Sequence, residues 1–187
     1  MAVAQRMTVQ DYERFVMTGV EGAWELHDGV LVEKPGMSAE HGDFTFEFGF
    51  RLRSQIDRSQ FRIAINDWRV LRPTATVFIP DLVVVPIALF DELRGQPGRL
   101  AIFSRPLPLV VAVWSASTGD YDIATKIPVY QQRGDLEIWH VHPYERTLTR
   151  WAPQPDGSYR TTTHRNGIIR PISLPGVVID LDGSFAD

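Results

Sequence analysis

Two apolar runs rich in β-branched residues constrain the fold of this chain more than any other feature. Leu82–Val85 is an unbroken Leu-Val-Val-Val segment, and Leu107–Trp114 has the same apolar character. Continuous apolar strands of this kind are typically covered on both faces, so both runs are predicted to be strands that are buried on both faces. Polar residues stand only at their ends, with Pro80-Asp81 before the first and Ser115–Thr118 after the second.

One acidic and one basic side chain are expected to meet beside these strands. Asp81 lies at the mouth of the first strand, and Lys126 falls on a helix after the second, one turn before Tyr130. An aspartate at the end of a buried strand that faces a lysine is compatible with a metal ligand next to a catalytic cation. It is also compatible with a buried ion pair. The pattern alone favours the ion pair, because structural ion pairs also perturb the pKa values of their members.

The other elements favour a mixed architecture. Asp28-Gly29 between two alternating segments is typical of a two-residue hairpin turn; we expect Val30 and Val32 to face the core and Glu25 the polar side. A helix is predicted from about Ser38 to about Arg58. Hairpins and helices in non-alternating order indicate an α/β fold of the α+β kind, with a mixed β-sheet core flanked by helices and additional β-hairpins.

Composition sets further bounds. With 187 residues and 44% hydrophobic content, the chain is expected to form a single domain, residues 1–187. No apolar run is long enough to span a bilayer and the first residues lack a signal-peptide core, so we expect a cytoplasmic protein with no membrane partner. Cysteine is absent, so any metal must bind through Asp, Glu or His. A net charge of −4 argues weakly against DNA binding, although a local basic groove remains compatible with it.

Several motifs together resemble the Uma-type family of bacterial endonucleases, within the PD-(D/E)XK restriction-endonuclease-like superfamily. The resemblance runs from about Met7 to Gly176 and is carried by four motifs: Pro80-Asp81, Leu109–Thr118, Asp122-x-x-x-Lys126-x-x-x-Tyr130 and Gly134-x-x-Glu137-x-Trp139. It implies a restriction-endonuclease-like fold, DNA as the partner, and hydrolysis of DNA phosphodiesters with a divalent ion, Mg²⁺ or Mn²⁺.

The resemblance also implies roles for individual residues. Asp81 and Glu25 would hold the metal, Lys126 would supply the cation, and His41 would contact a phosphate or a metal-bound water at the edge of the same cleft. Where the family has an acid in its E-V-x-S segment, this chain has Ala112, which would line the floor of the cleft without binding metal.

Nearby polar residues receive less weight. Asp122 lies one helical turn before Lys126, and we expect it to pair with that lysine and not to replace the missing acid. His140 and His142 have a spacing that can chelate a metal, but no third ligand is evident, so they are predicted to be surface residues.

Two functions therefore stay open at the level of sequence. The first is a metal-dependent DNA endonuclease impaired by Ala112, in which Glu25 or Asp122 replaces the lost carboxylate. The second is a catalytically degenerate nuclease fold that binds nucleic acid or protein. A homodimer is also expected, because the superfamily often cuts both strands and because the C-terminal half contains exposed strands.

Overall fold

The computed structural model describes residues 6–186, which contain helices, β-strands and one π-helical turn. The helices are α1 (Val9–Met17), α2 (Ala39–Arg53), α3 (Ile87–Asp91), α4 (Gly119–Tyr121), α5 (Ile127–Arg133) and α6 (Leu181–Ser184). The strands are β1 (Ala23–His27), β2 (Val30–Lys34), β3 (Phe61–Ile65), β4 (Arg69–Arg72), β5 (Thr76–Phe78), β6 (Leu82–Pro86), β7 (Ile102–Phe103), β8 (Leu109–Val113), β9 (Ile138–His142), β10 (Thr147–Pro153), β11 (Tyr159–His164), β12 (Ile168–Ile169) and β13 (Ile179–Asp180). The π-helical turn, Asp122–Lys126, joins α4 to α5.

The strands form two main sheets. One has six strands in the order β11-β10-β9-β8-β6-β3, and the other has five in the order β2-β1-β5-β4-β7. Strands β8 and β9 run parallel, as do β4 and β7, whereas the remaining pairs in both sheets are antiparallel. The predicted mixed α/β fold with flanking helices and added hairpins is therefore confirmed.

Strands β6 and β8 lie side by side inside the six-stranded sheet, between β3 and β9, with Leu82 paired to Val111. On one face their side chains pack with Phe48 of α2, and on the other with Ile127 and Tyr130 of the α5 segment. Every residue of β8 is buried. The prediction that both apolar runs are covered on two faces is confirmed.

Two helix starts follow from their capping residues. The Thr8 side chain accepts a hydrogen bond from the Asp11 amide at the start of α1, and Ser38 does the same for His41 at the start of α2. Helix α2 ends at Arg53, before the predicted Arg58. The Asp57 side chain accepts a hydrogen bond from the Ser59 amide, a local turn that competes with continuation of the helix.

The hairpin at Asp28-Gly29 forms as predicted, but its faces were assigned wrongly. The register pairs Leu26 with Leu31, and opposed residues of an antiparallel pair share a face. Leu31 therefore packs with Leu26 in the core, while Val30 and Val32 are exposed. Glu25 does lie on the face opposite to Leu26, which it shares with Val32, yet Glu25 itself is buried.

The residues from Thr76 to Val85 have strand character on both sides of Pro80-Asp81 but do not form one strand. The segment is broken at Pro80-Asp81: β5 belongs to the five-stranded sheet and β6 to the six-stranded sheet. Pro80 has no N–H to donate to a ladder, which favours a break at this point. The break puts Asp81 at the junction of the two sheets, not within a hairpin.

Candidate active site

Asp81 is buried at the junction of the two sheets, and both of its carboxylate oxygens have partners. Oδ1 accepts a 2.8 Å hydrogen bond from Lys34 Nζ, and Oδ2 accepts one of 2.7 Å from the backbone N–H of Val113. Burial alone would raise the pKa of Asp81, but Lys34 and His41 hold it well below its usual range. Asp81 is therefore a fixed, ionised carboxylate at the end of strand β6.

Glu25 and Lys126 form a second buried pair close to the first. Glu25 Oε1 accepts hydrogen bonds from Lys126 Nζ at 3.0 Å and from the Ile79 amide at 2.8 Å. The carbonyl of the same Ile79 accepts a 3.1 Å hydrogen bond from Lys34 Nζ, which also binds Asp81. The structure thus brings Glu25, Asp81 and Lys126 together, although Lys34 and not Lys126 is the lysine that pairs with Asp81.

The π-helical turn positions Asp122 against Lys126. Asp122 Oδ1 lies 3.4 Å from Lys126 Nζ, so the expected contact between these residues is present. Asp122 Oδ2 accepts a 3.0 Å hydrogen bond from the Thr118 hydroxyl. The backbone N–H of Ile127 donates to the Asp122 carbonyl, an i to i+5 bond that widens the helix at this point. π-Helical turns of this kind are frequent at functional sites.

The pKa of Lys126 is set by the acids around it. Burial alone would lower that pKa, but Glu25, Asp122 and Asp81 together raise it above its ordinary value. The ammonium therefore stays charged near neutral pH. It can neutralise an anion such as a phosphate oxygen, but it cannot accept a proton as a general base.

His41 approaches the same place from the start of α2. Its Nε2–H donates a 3.1 Å hydrogen bond to the carbonyl of Val113, and the same nitrogen lies 3.7 Å from Asp81 Oδ2. His41 is buried, so it lies behind Asp81 and not at the open edge that the sequence suggested. In this arrangement it supports the strand end that holds Asp81.

Ala112 occupies the middle of a row that crosses three strands. Leu82 pairs with Val111, which puts Asp81 beside Ala112 on one side, and His140 pairs with Ala112 on the other. Ala112 is buried and contributes no polar atom. An acid at this position would stand between Asp81 and His140 within the sheet.

His140 was wrongly predicted to be a surface residue; it is only 4% exposed. It alternates with Trp139 and Val141, whose side chains pack with the α2 cluster, so it lies on the opposite, α5 side of the sheet. Its Nε2 has no hydrogen-bond partner among residues 6–186. Burial lowers the pKa of His140 to about 4, which leaves the ring neutral near pH 7. His142 is half-buried and stacks on Trp114, with ring centroids 4.2 Å apart.

Lys34 is the other residue that sequence reasoning missed. It ends strand β2, and the alternating hairpin pattern does not distinguish it from a solvent-exposed lysine at the end of a strand. Its role arises from the contact between the two sheets, where it also donates a 3.0 Å hydrogen bond to Asn66. A surface cleft of about 420 Å³ is lined by Lys34, Met37 and Asn66, among others, and opens on this side of the buried charges.

We call the five charged residues of this region the charge cluster: Glu25, Lys34, Asp81, Asp122 and Lys126. Within residues 6–186, no three His, Asp or Glu side chains come close enough together to hold a metal ion. Mg²⁺ requires several hard oxygen ligands, and here both oxygens of Asp81 and Oε1 of Glu25 already accept hydrogen bonds from lysines and backbone amides, while Oε2 of Glu25 lies 3.2 Å from His27 Nε2. The ligand set is therefore incomplete for the expected divalent ion.

Comparisons with known proteins find similarity between this chain and proteins described as putative nucleases. The Uma2 family model, described as "Putative restriction endonuclease", matches residues 9–182. A crystal structure from Anabaena variabilis ATCC 29413, described as a putative nuclease belonging to DUF820, superposes with a TM-score of 0.75 at 16% identity, covering 96% of this chain and 98% of that one. The search of curated proteins found no match. Among residues 6–186, no helix is long and apolar enough to cross a membrane.

Proposed function

The chain belongs to the Uma2 family, and from that premise we propose that it is a metal-dependent DNA endonuclease whose hydrolytic activity is impaired by Ala112. One observation carries the proposal. Glu25, Asp81 and Lys126 lie together, buried, at the end of a central strand, beside a position where an acid would complete the set.

The residues of the charge cluster suit different parts of phosphodiester hydrolysis. Lys126 is held in its charged form by Glu25 and Asp122, so it can stabilise negative charge on a phosphate oxygen. Asp81 is held ionised and oriented by Lys34 and by the Val113 amide, so it offers a fixed carboxylate at the strand end. Asp81 and Glu25 would hold Mg²⁺ or Mn²⁺ as a partial ligand set.

Plasmid cleavage tests the proposal. The parent protein should nick supercoiled plasmid slowly or not at all in Mg²⁺ or Mn²⁺, because it lacks one carboxylate. Ala112→Glu should be on the order of tenfold faster or more, since about 1.4 kcal/mol of added transition-state stabilisation corresponds to tenfold. Ala112→Gln is the matched control, with the same size but no charge, and should behave as the parent does.

A second substitution separates site chemistry from general effects. Adding Lys126→Ala to Ala112→Glu should abolish the gain, provided that circular dichroism shows the double variant to be folded. A parent as active as Ala112→Glu would mean that Glu25 or Asp122 already replaces the missing acid, and would contradict the impairment.

The competing function is a nuclease fold that binds nucleic acid or protein without cleaving it. It is favoured by the partners of Asp81 and Glu25, whose oxygens are occupied by lysines and backbone amides as in a purely structural network. A folded but inactive Ala112→Glu, combined with DNA binding in EDTA by fluorescence anisotropy, would support this alternative.

A further inference from the structure

The outer face of helix α2 exposes two phenylalanines. Phe46 is 61% exposed and Phe50 is 59% exposed, although other side chains of the same helix are buried in the core. The two positions are one helical turn apart, so their rings form one continuous apolar strip. Adjacent exposed aromatic side chains of this kind are typical of interaction surfaces.

Charged residues of opposite sign flank the strip. Asp43 precedes Phe46 by three positions, and Arg53 follows Phe50 by three. The spacing Asp43, Phe46, Phe50, Arg53 is three, four, three, which is the spacing of a seam between two packed helices. Within residues 6–186, neither Asp43 nor Arg53 forms a salt bridge.

The order of these residues is self-complementary. If a second α2 packs antiparallel, with a two-fold axis at the level of Phe48, Asp43 faces Arg53 and Phe46 faces Phe50 of the other copy, twice over. A two-fold interface requires this kind of matching, because each patch must bind an identical patch. A parallel arrangement would instead oppose Asp43 to Asp43 and Arg53 to Arg53.

We propose that the α2 seam (Asp43, Phe46, Phe50 and Arg53) is the docking surface for a second copy of this chain, arranged antiparallel about a two-fold axis. This surface differs from the C-terminal strands that the sequence suggested for a dimer. Two helices of this length bury less area than a standard interface, so the dimer is expected to be weak, with a dissociation constant in the micromolar range, about 1–100 μM.

Sedimentation velocity over a concentration series tests the proposal. The α2 seam predicts how the dimer responds when the charges at positions 43 and 53 are reversed singly and together. Asp43→Arg opposes two arginines across the seam, and Arg53→Asp opposes two aspartates. Each single variant should weaken the dimer about tenfold or more. The double variant, Asp43→Arg with Arg53→Asp, restores opposite charges and should recover dimerisation close to that of the parent. Asp43 is exposed and Arg53 is half-buried, so both substitutions are expected to keep the fold, which circular dichroism checks.

Two controls address other surfaces. Ile172→Ser changes a residue that is 75% exposed elsewhere, and Thr162→Arg changes the outer strand β11; neither should alter the dimer. A parent that stays monomeric throughout the concentration series would overturn the proposal. So would dissociation by Thr162→Arg, or a double charge exchange that leaves the dimer as weak as the single variants do.

Discussion

At the scale of single residues, the charge cluster holds three carboxyl groups and two ammonium groups in a buried space. Lys126 contacts Glu25 at 3.0 Å and Asp122 at 3.4 Å, and Lys34 contacts Asp81 at 2.8 Å. Removing one partner of a buried pair leaves the other charge uncompensated, which costs far more than the pair contributes. The cluster is therefore a strong constraint on stability as well as a candidate site.

Lys126→Met should lower the free energy of unfolding by about 3–5 kcal/mol, because Glu25 and Asp122 would lose their buried cation. Adding Glu25→Gln should recover part of that loss, since it removes one of the two uncompensated carboxylates. Urea unfolding of the parent, both single variants and the double variant measures the coupling. Additive losses would show that Glu25 and Lys126 do not interact as the structure indicates.

Stability should also depend on the protonation of His140. Its pKa is lowered from an ordinary value of 6.5 to about 4 by burial, so the unfolded chain takes up this proton more readily than the folded one. The stability that neutral His140 contributes is fully present above pH 6.5 and is lost as the pH falls towards 4. Below pH 4 this residue causes no further change. The full loss is about 3 kcal/mol.

The His140→Gln variant tests this dependence. Its unfolding free energy should vary less than that of the parent between pH 6.5 and 4, as followed by thermal or urea unfolding at each pH. Carboxylates such as Asp81 and Glu25, whose pKa values are lowered, contribute mainly at lower pH and are common to both proteins. Parallel curves for the two proteins across this window would contradict the assignment.

Single residues differ in how far the sequence could predict them. Asp81 and Lys126 were singled out because they stand in recognisable motifs at a strand end and on a helix, and Glu25 because the family resemblance implied it. Lys34 and His140 were not, because their environments depend on which strands become neighbours. The pairing of His140 with Ala112 joins β9 to β8 across a long connection, and local pattern carries no information about it.

At the scale of elements, close packing around Gly119 fixes the segment that carries Lys126. A Cβ built on Gly119 would lie 1.9 Å from Trp114 Nε1 and 2.3 Å from its Cδ1, so only glycine fits against the indole ring. Gly119 opens α4, which leads directly into the π-helical turn and Lys126. The Trp114 ring thus helps set the position of the lysine.

Gly119→Ala should destabilise the protein by about 1–3 kcal/mol, the usual cost of forcing extra volume into a packed site. Gly42→Ala is the matched control: a Cβ there meets nothing within 4 Å, and the residue lies inside α2. Replacement of a helical glycine without a clash should raise stability by about 0.5–1 kcal/mol. Differential scanning fluorimetry should show a lower melting temperature than that of the parent for Gly119→Ala and a higher one for Gly42→Ala. An unchanged melting temperature for Gly119→Ala would show that the close approach to Trp114 does not constrain the site.

Elements with strong local signals were predicted well. The predicted Asp28-Gly29 turn forms, and the predicted helix begins after Ser38, whose side chain caps it. The division of Thr76–Val85 between two sheets was not predictable in the same way. Both halves have strand character, and only the tertiary arrangement decides that β5 pairs with β4 and β1 while β6 pairs with β8 and β3.

At the scale of the whole molecule, the two sheets meet where the charge cluster lies. Glu25 and Lys34 come from the five-stranded sheet, whereas Asp81 borders the six-stranded sheet and Lys126 lies in the π-helical turn before α5. Lys34 of the five-stranded sheet donates hydrogen bonds both to Ile79, in the short connection between β5 and β6, and to Asp81 beside the six-stranded sheet. We propose on this basis that residues 1–187 form one domain.

We propose that the charge cluster is a nuclease site that lacks one carboxylate at position 112. Binding of Mn²⁺ in the absence of DNA, measured by electron paramagnetic resonance of the free ion, distinguishes such a site from a purely structural cluster. Ala112→Glu should bind one Mn²⁺ on the order of tenfold more tightly than the parent or Ala112→Gln, because it alone adds an anionic oxygen ligand beside Asp81. Equal affinities for the three folded proteins would contradict the claim.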